Sequence, residues 1–418
     1  MLNLNYFKGE INQLYHPTAK YGQDCHDLVY SGGVLNSTKF VPILLKEWFY
    51  LVEKDGYLVC DYRPNEICGW QRLEEHMWWL WKGKYEIIYH DVIDPKDMLS
   101  LNTRNLKRFI KITENYYKKN LNSKSLLPKP LSTLGHTDTK EKYVRFICRK
   151  RESTKIVGDS MDKWTFGIIT DGKRDDWVER IIASIRKQKV PYYEIIVCGA
   201  YLDRGGKNFI YIPFNQRNDL GWITKKKNLI LNKTQYENLL IIHDRVVLSD
   251  EWYKGMRKWG NCYDLLSCVQ IYNDKRINDW ELYEELPDLD FSFVSLLDYR
   301  DWDYNACQGG QLHMVKKSYV KDVLWDETYI WGKAEDLKLS YDLRDQGHIL
   351  RFNPHASCTV LSYKFGDLPK VTYNKHELSK IREGRLLRIY GRKLYSYVYK
   401  NTNLKNLFKY MSQIIKFN

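Results

Sequence analysis

Apolar residues along the chain alternate between short continuous runs and positions at helical spacing. Asp27 to Ser31 (DLVYS) reads as a short buried strand, and Val41, Leu44, Leu45, Trp48 and Val52 then fall on one face of a helix. Lys54-Asp55-Gly56 makes a turn into a second apolar run, Tyr57 to Asp61 (YLVCD). Strand, helix and strand in this order predict a βαβ unit with a parallel pair. A Trp-rich helix over Arg72 to Trp81, a strand over Tyr85 to His90 and a helix over Leu101 to Lys119 close the region. From Asn120 to about Lys163 the chain turns polar, with Pro128, Pro130 and Gly135, which predicts a linker. A second α/β run begins at Trp164. Strands are expected at Thr165 to Thr170, Glu194 to Cys198, Phe209 to Ile212 and Leu239 to His243, and Val178, Ile181, Ile182 and Ile185 share one helical face. Such repeated βα units predict a doubly wound open sheet, which binds ligands beyond the carboxyl ends of its strands. The expected division is residues 1–119, a linker 120–163, residues 164–365 and a basic tail 366–418.

Composition narrows the class. At 418 residues, with 44% apolar and 15% aromatic residues, the chain can bury a sizeable core and is not disordered. Nine dispersed cysteines in odd number, without paired CxxC motifs, argue against a disulfide scaffold or zinc ribbon and fit a reducing cytosol. The opening MLNLNYFKGEINQLYHP lacks a signal-peptide pattern, and no stretch reaches about 18 apolar residues, so the expectation is a cytoplasmic protein with at most peripheral membrane contact.

The net charge is +14, and a surplus of nine falls within residues 379–418. There Leu404, Leu407, Phe408 and Met411 recur at helical spacing beside Lys405, Lys409 and Lys416. That pattern suits an amphipathic helix lying on an anionic membrane. A stripe of basic and aromatic residues also suits RNA, and a helix packed on the core with its lysines in water is the plainer reading.

Several motifs of the second run resemble one family. TFGIITDG (165–172), EIIVCG (194–199), GWITKKKN (221–228) and LLIIHDRV (239–246) are similar in order and spacing to the nucleotide-binding elements of family 2 glycosyltransferases of the GT-A fold. Gly309-Gly310-Gln311, Trp325-Asp326-Glu327, WGKAEDLKLSYDLRDQGH (331–348) and RFNPHA (351–356) resemble the acceptor half of that family. The likeness covers about residues 164–363. It implies an α/β, Rossmann-like domain that binds a nucleotide-sugar, with a UDP-sugar the first expectation.

The resemblance also implies roles for particular residues. Glu335-Asp336 matches the family's acidic pair, so Asp336 is expected to be the general base of an inverting transfer and Glu335 its acceptor-binding neighbour. Trp331 offers a flat face for a sugar ring. Thr170, Asp171, Lys227, Asn228, Asp244, Arg245, Gly309 and Gly310 are expected on the donor side. The family's Asp-x-Asp is replaced by His243-Asp244-Arg245, which leaves Asp244 and His243 as the ligands expected for Mn2+ or Mg2+ and lets Arg245 supply part of the cation's charge. The acidic residue usual after the second strand is replaced by Cys198-Gly199, and the late histidine is absent near Val360.

The N-terminal HDLVYSGGVLN, LLKEWFYLV and KDGYLVCDYRP look like the later half of a class I methyltransferase, truncated before its cofactor loop, so no S-adenosylmethionine is expected. The combined expectation is a partial Rossmann-like domain, a GT-A domain and basic helices, acting on a glycan or lipid-linked glycan in polysaccharide biosynthesis. The protein is expected in the cytoplasm, peripheral at the inner face of a membrane, and as a homo-oligomer, without nucleic acid. A catalytically silent carbohydrate- or nucleotide-binding protein, and a nucleic-acid-binding protein, are the alternatives.

Overall fold

The computed structural model describes residues 2–3, 11–64, 69–94, 103–120, 143–202, 205–286, 291–363 and 372–373. The N-terminal unit contains β1 (Leu2–Asn3), β2 (His26–Gly32), β3 (Val52–Tyr62), β4 (Tyr85–Ile93) and β5 (Tyr143–Lys150), with helices α1 (Thr18–Tyr21), α2 (Val41–Leu51), α3 (Trp70–Trp81) and α4 (Thr103–Asn120). Its sheet runs β1-β2-β3-β5-β4, with β2 and β3 parallel as the βαβ pattern predicts.

Two local expectations are corrected here. The linker placed at 120–163 contains β5, an inner strand that pairs antiparallel with both β3 and β4. Val144, Phe146 and Cys148 are buried against one core and Ile147 against another. With both faces covered, the short apolar run lacks the alternation that marks a half-exposed strand. Secondly, Lys54-Asp55-Gly56 is not a turn ahead of a strand but lies inside β3, where pairing jumps from His26–Val52 to Leu28–Tyr57. The turn-forming residues are absorbed in an irregular bulge.

Helix α2 also departs from its expected single apolar face, since all eleven of its residues are buried. The reason is the second unit, which covers its polar side. Lys46 pairs with Asp264 at 2.9 Å, and Glu47 pairs with Arg351 at 2.7 Å. Both partners belong to the C-terminal unit, and one apolar cluster runs through the two units. They pack as one body rather than as tethered beads.

The C-terminal unit contains β6 (Lys163–Thr170), β7 (Tyr192–Gly199), β8 (Phe209–Pro213), β9 (Asn238–His243), β10 (Val246–Leu248), β11 (Leu265–Tyr272), β12 (Lys275–Arg276), β13 (Glu281–Leu286), β14 (Phe291–Leu297), β15 (Ala306–Cys307), β16 (Leu312–Lys316), β17 (Leu350–Val360) and β18 (Thr372–Tyr373). Its helices are α5 (Asp175–Lys187), α6 (Ile223–Lys233), α7 (Trp252–Trp259), α8 (Lys317–Lys321) and α9 (Glu335–Asp345). The main sheet runs β10-β17-β11-β16-β9-β6-β7-β8, with β12 paired to β11.

Strands β6 to β9 form a parallel half, as the βα repeat predicts. Beyond β9 the order becomes mixed, because β16 runs antiparallel to both β9 and β11. The doubly wound expectation therefore holds for half the sheet. The predicted face of α5 is buried in full, at Val178, Ile181, Ile182 and Ile185.

A smaller sheet, β15-β13-β14-β18, stands beside it. Its last strand, Thr372–Tyr373, falls in the stretch expected to be a helical tail, so that expectation is corrected at these two residues. The basic helix expected near Leu404 to Met411 lies outside the described residues. Among the described residues no helix is long and apolar enough to cross a membrane.

Helix α7 crosses β17 at backbone contact. A Cβ on Gly255 would lie 2.0 Å from the His355 carbonyl oxygen, which cannot retreat without breaking the sheet. Gly255→Ala is expected to cost at least about 1–3 kcal/mol through overpacking. A urea titration should show a lower midpoint at unchanged slope; a midpoint equal to wild type would mean that the helix can shift freely.

Candidate active site

The carboxyl ends of β6 and β9 and the first turn of α6 enclose a cleft of about 300 Å³. Parallel strands end here in residues freed from the ladder, so their polar side chains can face a ligand. Thr170, Asp171, His243, Asp244, Arg245, Lys226, Arg174 and Trp331 line the cleft, with Asn218 and Asp219 from the loop before α6.

Asp244 is buried and held on both oxygens. Thr170 Oγ1 donates to Oδ2 at 2.9 Å, and an Arg174 guanidinium N–H donates to Oδ1 at 3.1 Å. Lys226 is buried too, donating to the Thr170 carbonyl at 2.6 Å and to Asn218 Oδ1 at 2.8 Å. Burial lowers its pKa from the ordinary lysine value. Burial also pushes the His243 imidazole well below its usual pKa, helped by the charges of Lys227 and Arg245, so the ring is neutral. Its Nε2 is buried without a hydrogen-bond partner. Asp171 makes the turn its sequence suggests, accepting the Lys173 N–H at 3.1 Å and pairing with the Lys173 ammonium at 3.1 Å.

A second constellation forms behind the cleft. Glu335 and Asp336 open α9, where the helix dipole favours negative charge. Glu335 pairs with the fully buried Lys227 ammonium at 3.3 Å, which also donates to His313 Nε2 at 3.1 Å. The turn before β16 packs directly beneath the acids. A Cβ on Gly310 would lie 2.9 Å from Asp336 Oδ2 and 3.2 Å from Glu335 Oε1, so only glycine leaves both carboxylates in place. Burial, and then the neighbouring Glu335 charge, push the Asp336 pKa up to about 7. A carboxylate poised there can take a proton near neutral pH. The two constellations are linked, because the His243 N–H donates to the Gln311 carbonyl at 3.1 Å.

Several expected donor-side residues take other places. Lys227, expected beside the phosphates, points away from the cleft and into the Glu335–His313 cluster. Helical geometry explains this, since consecutive residues on α6 face about 100° apart and Lys226 takes the cleft side. Asn228 holds the loop after α8: its Nδ2 donates to the Trp325 carbonyl at 2.8 Å and to Glu327 Oε1 at 3.0 Å, while its Oδ1 accepts the Trp325 N–H at 3.0 Å. Gly309 packs on the Asn278 carbonyl rather than lining the cleft, and Trp331 lines it at 45% exposure.

Sequence reading missed Arg174, Lys226 and His313. Arg174 lies in a polar loop just after TDG with no motif to single it out. Lys226 sits in a KKK run that reads as a solvated helix face.

The donor set expected for a divalent cation does not assemble. Among the described residues no three His, Cys, Asp or Glu side chains gather to hold a metal. Each Asp244 oxygen already accepts a hydrogen bond, from Thr170 and from Arg174, and the Arg174 and Arg245 cations lie beside it. Mg2+ and its analogues seek carboxylate and phosphate oxygens in an open shell. The residues as placed therefore do not suit the Mn2+ or Mg2+ expected at Asp244 and His243.

No protein-family model matches the chain, and no curated protein matches it. Solved structures are similar over part of its length. The crystal structure of GalNAc-T7 with UDP, GalNAc and Mn2+ matches with a TM-score of 0.38 and 13% identity, over 49% of this chain and 44% of that one. The mannosyltransferase PcManGT from Pyrobaculum calidifontis, in complex with GDP-Man and Mn2+, matches with a TM-score of 0.35 and 14% identity, over 51% and 62%. S. aureus TarS matches with a TM-score of 0.35 and 14% identity, over 48% and 37%. The chain thus spans less than two thirds of each of these structures.

Proposed function

We propose that the protein is an inverting glycosyltransferase of the GT-A type, related to family 2, that moves a sugar from a nucleotide-sugar to a glycan or lipid-linked glycan hydroxyl. The observation that carries this reading is the Asp336 carboxyl, raised to about 7 and wedged against Gly310, behind a cationic cleft at the strand ends. Cleft and acid supply the two things the reaction needs: positive charge for a departing nucleoside diphosphate and a base for the incoming hydroxyl.

In this reading Asp336 removes the acceptor proton as the oxygen attacks the anomeric carbon. Inversion follows from a single displacement by that oxygen. Glu335, fixed by Lys227, orients the acceptor, and Trp331 offers a stacking face at the cleft mouth. Thr170 and Asp171 stand where the nucleoside would lie. The N-terminal unit is read as a truncated methyltransferase-like domain that positions the acceptor or packs the transferase. Its parallel β2–β3 pair joined by α2 supports that reading. The basic tail is assigned to an anionic membrane surface.

The direct test is incubation of the full chain with UDP-, GDP- and dTDP-sugars and a panel of glycan acceptors, following nucleotide release and glycosylated product. Product formation with one donor is expected. Tight nucleotide binding without release or product would instead establish a silent binding protein. A steeply salt-dependent affinity for RNA that survives deletion of residues 379–418 would favour a nucleic-acid-binding protein.

A further inference from the structure

We propose that Arg174, Arg245 and Lys226 bind the donor's two phosphates directly, in the position where a metal ion would be expected, so that nucleotide binding needs no divalent cation. The proposal rests on the nucleotide-sugar reading and goes beyond it by replacing the cofactor with side chains.

Three observations converge. Asp244, the one strand-end carboxylate of the altered motif, accepts a hydrogen bond on each oxygen, from Thr170 and from Arg174, and so anchors a guanidinium in the cleft. Arg174 spends one N–H on Asp244 while its guanidinium lies over the Trp177 ring, 5.0 Å from the centroid. The other donors of this rigid fork stay available in a side chain still 38% exposed. Arg245 lines the same cleft with its Nε buried and without a hydrogen-bond partner.

The sign of the charge around Asp244 points the same way. Around Asp244 the cleft holds the three cations Arg174, Arg245 and Lys226, while Asp171 is neutralised by Lys173. With Asp219 and Asp244 also lining it, the cleft keeps a surplus of one positive charge to meet a pyrophosphate diester. A divalent cation at Asp244 would face Arg174 and Arg245 at close range. Guanidinium groups also suit phosphate geometry, giving paired N–H donors where a metal gives a point charge.

The test is titration calorimetry of the full chain with UDP, GDP and inorganic pyrophosphate, first in excess EDTA and then with Mn2+ or Mg2+. Affinity for the nucleotide that binds is expected to agree within about twofold between the two buffers. Arg174→Ala and Arg245→Ala are each expected to weaken it about 10- to 100-fold in EDTA, as loss of charged hydrogen bonds does. The unfolding midpoint of each ligand-free variant is read in parallel; where alanine lowers it, lysine at the same position replaces it and should recover part of the affinity. Binding seen only with Mn2+ or Mg2+ would overturn this proposal and leave the nucleotide-sugar reading standing. Alanine variants that fold and bind like wild type would also overturn it. No binding of any nucleotide in either buffer would overturn both.

Discussion

Asp336→Asn is expected to lower the rate of sugar transfer about 10²- to 10⁴-fold, the range that a positioned general base contributes. Donor binding should survive, because the cleft at Asp244 is lined by other residues. A single-turnover measurement with saturating donor separates the two effects. The pH profile carries the sharper signature. Since the base must be ionised, the rate should rise with pH through about 7, where the Asp336 carboxyl titrates.

Neighbouring charges should move that limb in opposite directions. Glu335 raises the Asp336 pKa and Lys227 lowers it. Glu335→Gln is therefore expected to shift the acid limb to lower pH, and Lys227→Met to shift it to higher pH. A purely structural role for these residues would lower the rate at every pH and leave the limb in place. Asp336→Asn at wild-type rate would remove the base from the mechanism altogether.

Glu47→Ala is expected to destabilise the whole chain by about 3–5 kcal/mol, the cost of leaving the partner of a buried ion pair uncompensated. Glu47 bonds the Arg351 guanidinium at 2.7 Å, His16 Nδ1 at 2.8 Å and Thr18 Oγ1 at 3.0 Å, and is itself only 2% exposed. Arg351 lies on β17 of the main sheet, so the loss acts across the contact between the two units and not within one helix.

Asp250→Ala offers the contrast, because the Lys187–Asp250 pair is exposed at 62% and 70% and its removal should cost less than about 1 kcal/mol. Chemical denaturation of both variants checks the pair of values. Equal midpoints would show that the buried network adds nothing. The sign of the pH dependence follows from the same contacts. Burial would raise the Glu47 pKa, but His16 and Arg351 outweigh it and hold it below the ordinary value. Its contribution to stability is complete above the unfolded-state glutamate pKa and is lost as the pH falls through the lower, folded value.

Much of the architecture was legible because local pattern carries it. The apolar runs at 165–170, 194–198 and 239–243 became β6, β7 and β9, and the face at Val178, Ile181, Ile182 and Ile185 became the buried side of α5. Alternation and helical spacing report which faces meet apolar neighbours, and here those neighbours lie nearby in the chain. The signal failed where a neighbour came from far away. Strand β5 was hidden because both of its faces are covered, and the polar side of α2 was hidden because Asp264 and Arg351, some 200 to 300 residues later, bury it.

The site divides along the same line. Residue types and their spacing by themselves pointed to an acidic pair at a helix start, a carboxylate at a strand end and a chain whose charge surplus sits mostly in its last forty residues. Tertiary structure decided which oxygens are free and which cations face them. Lys227 and Lys226 are adjacent in sequence, yet one turns to Glu335 and the other to Thr170. Asp244 meets Arg174 from 70 positions away in the chain, a contact that occupies one carboxylate oxygen and brings a guanidinium into the cleft. Side-chain direction on a helix and the meeting of distant loops are set by packing in three dimensions. Sequence spacing records only what one element requires of itself.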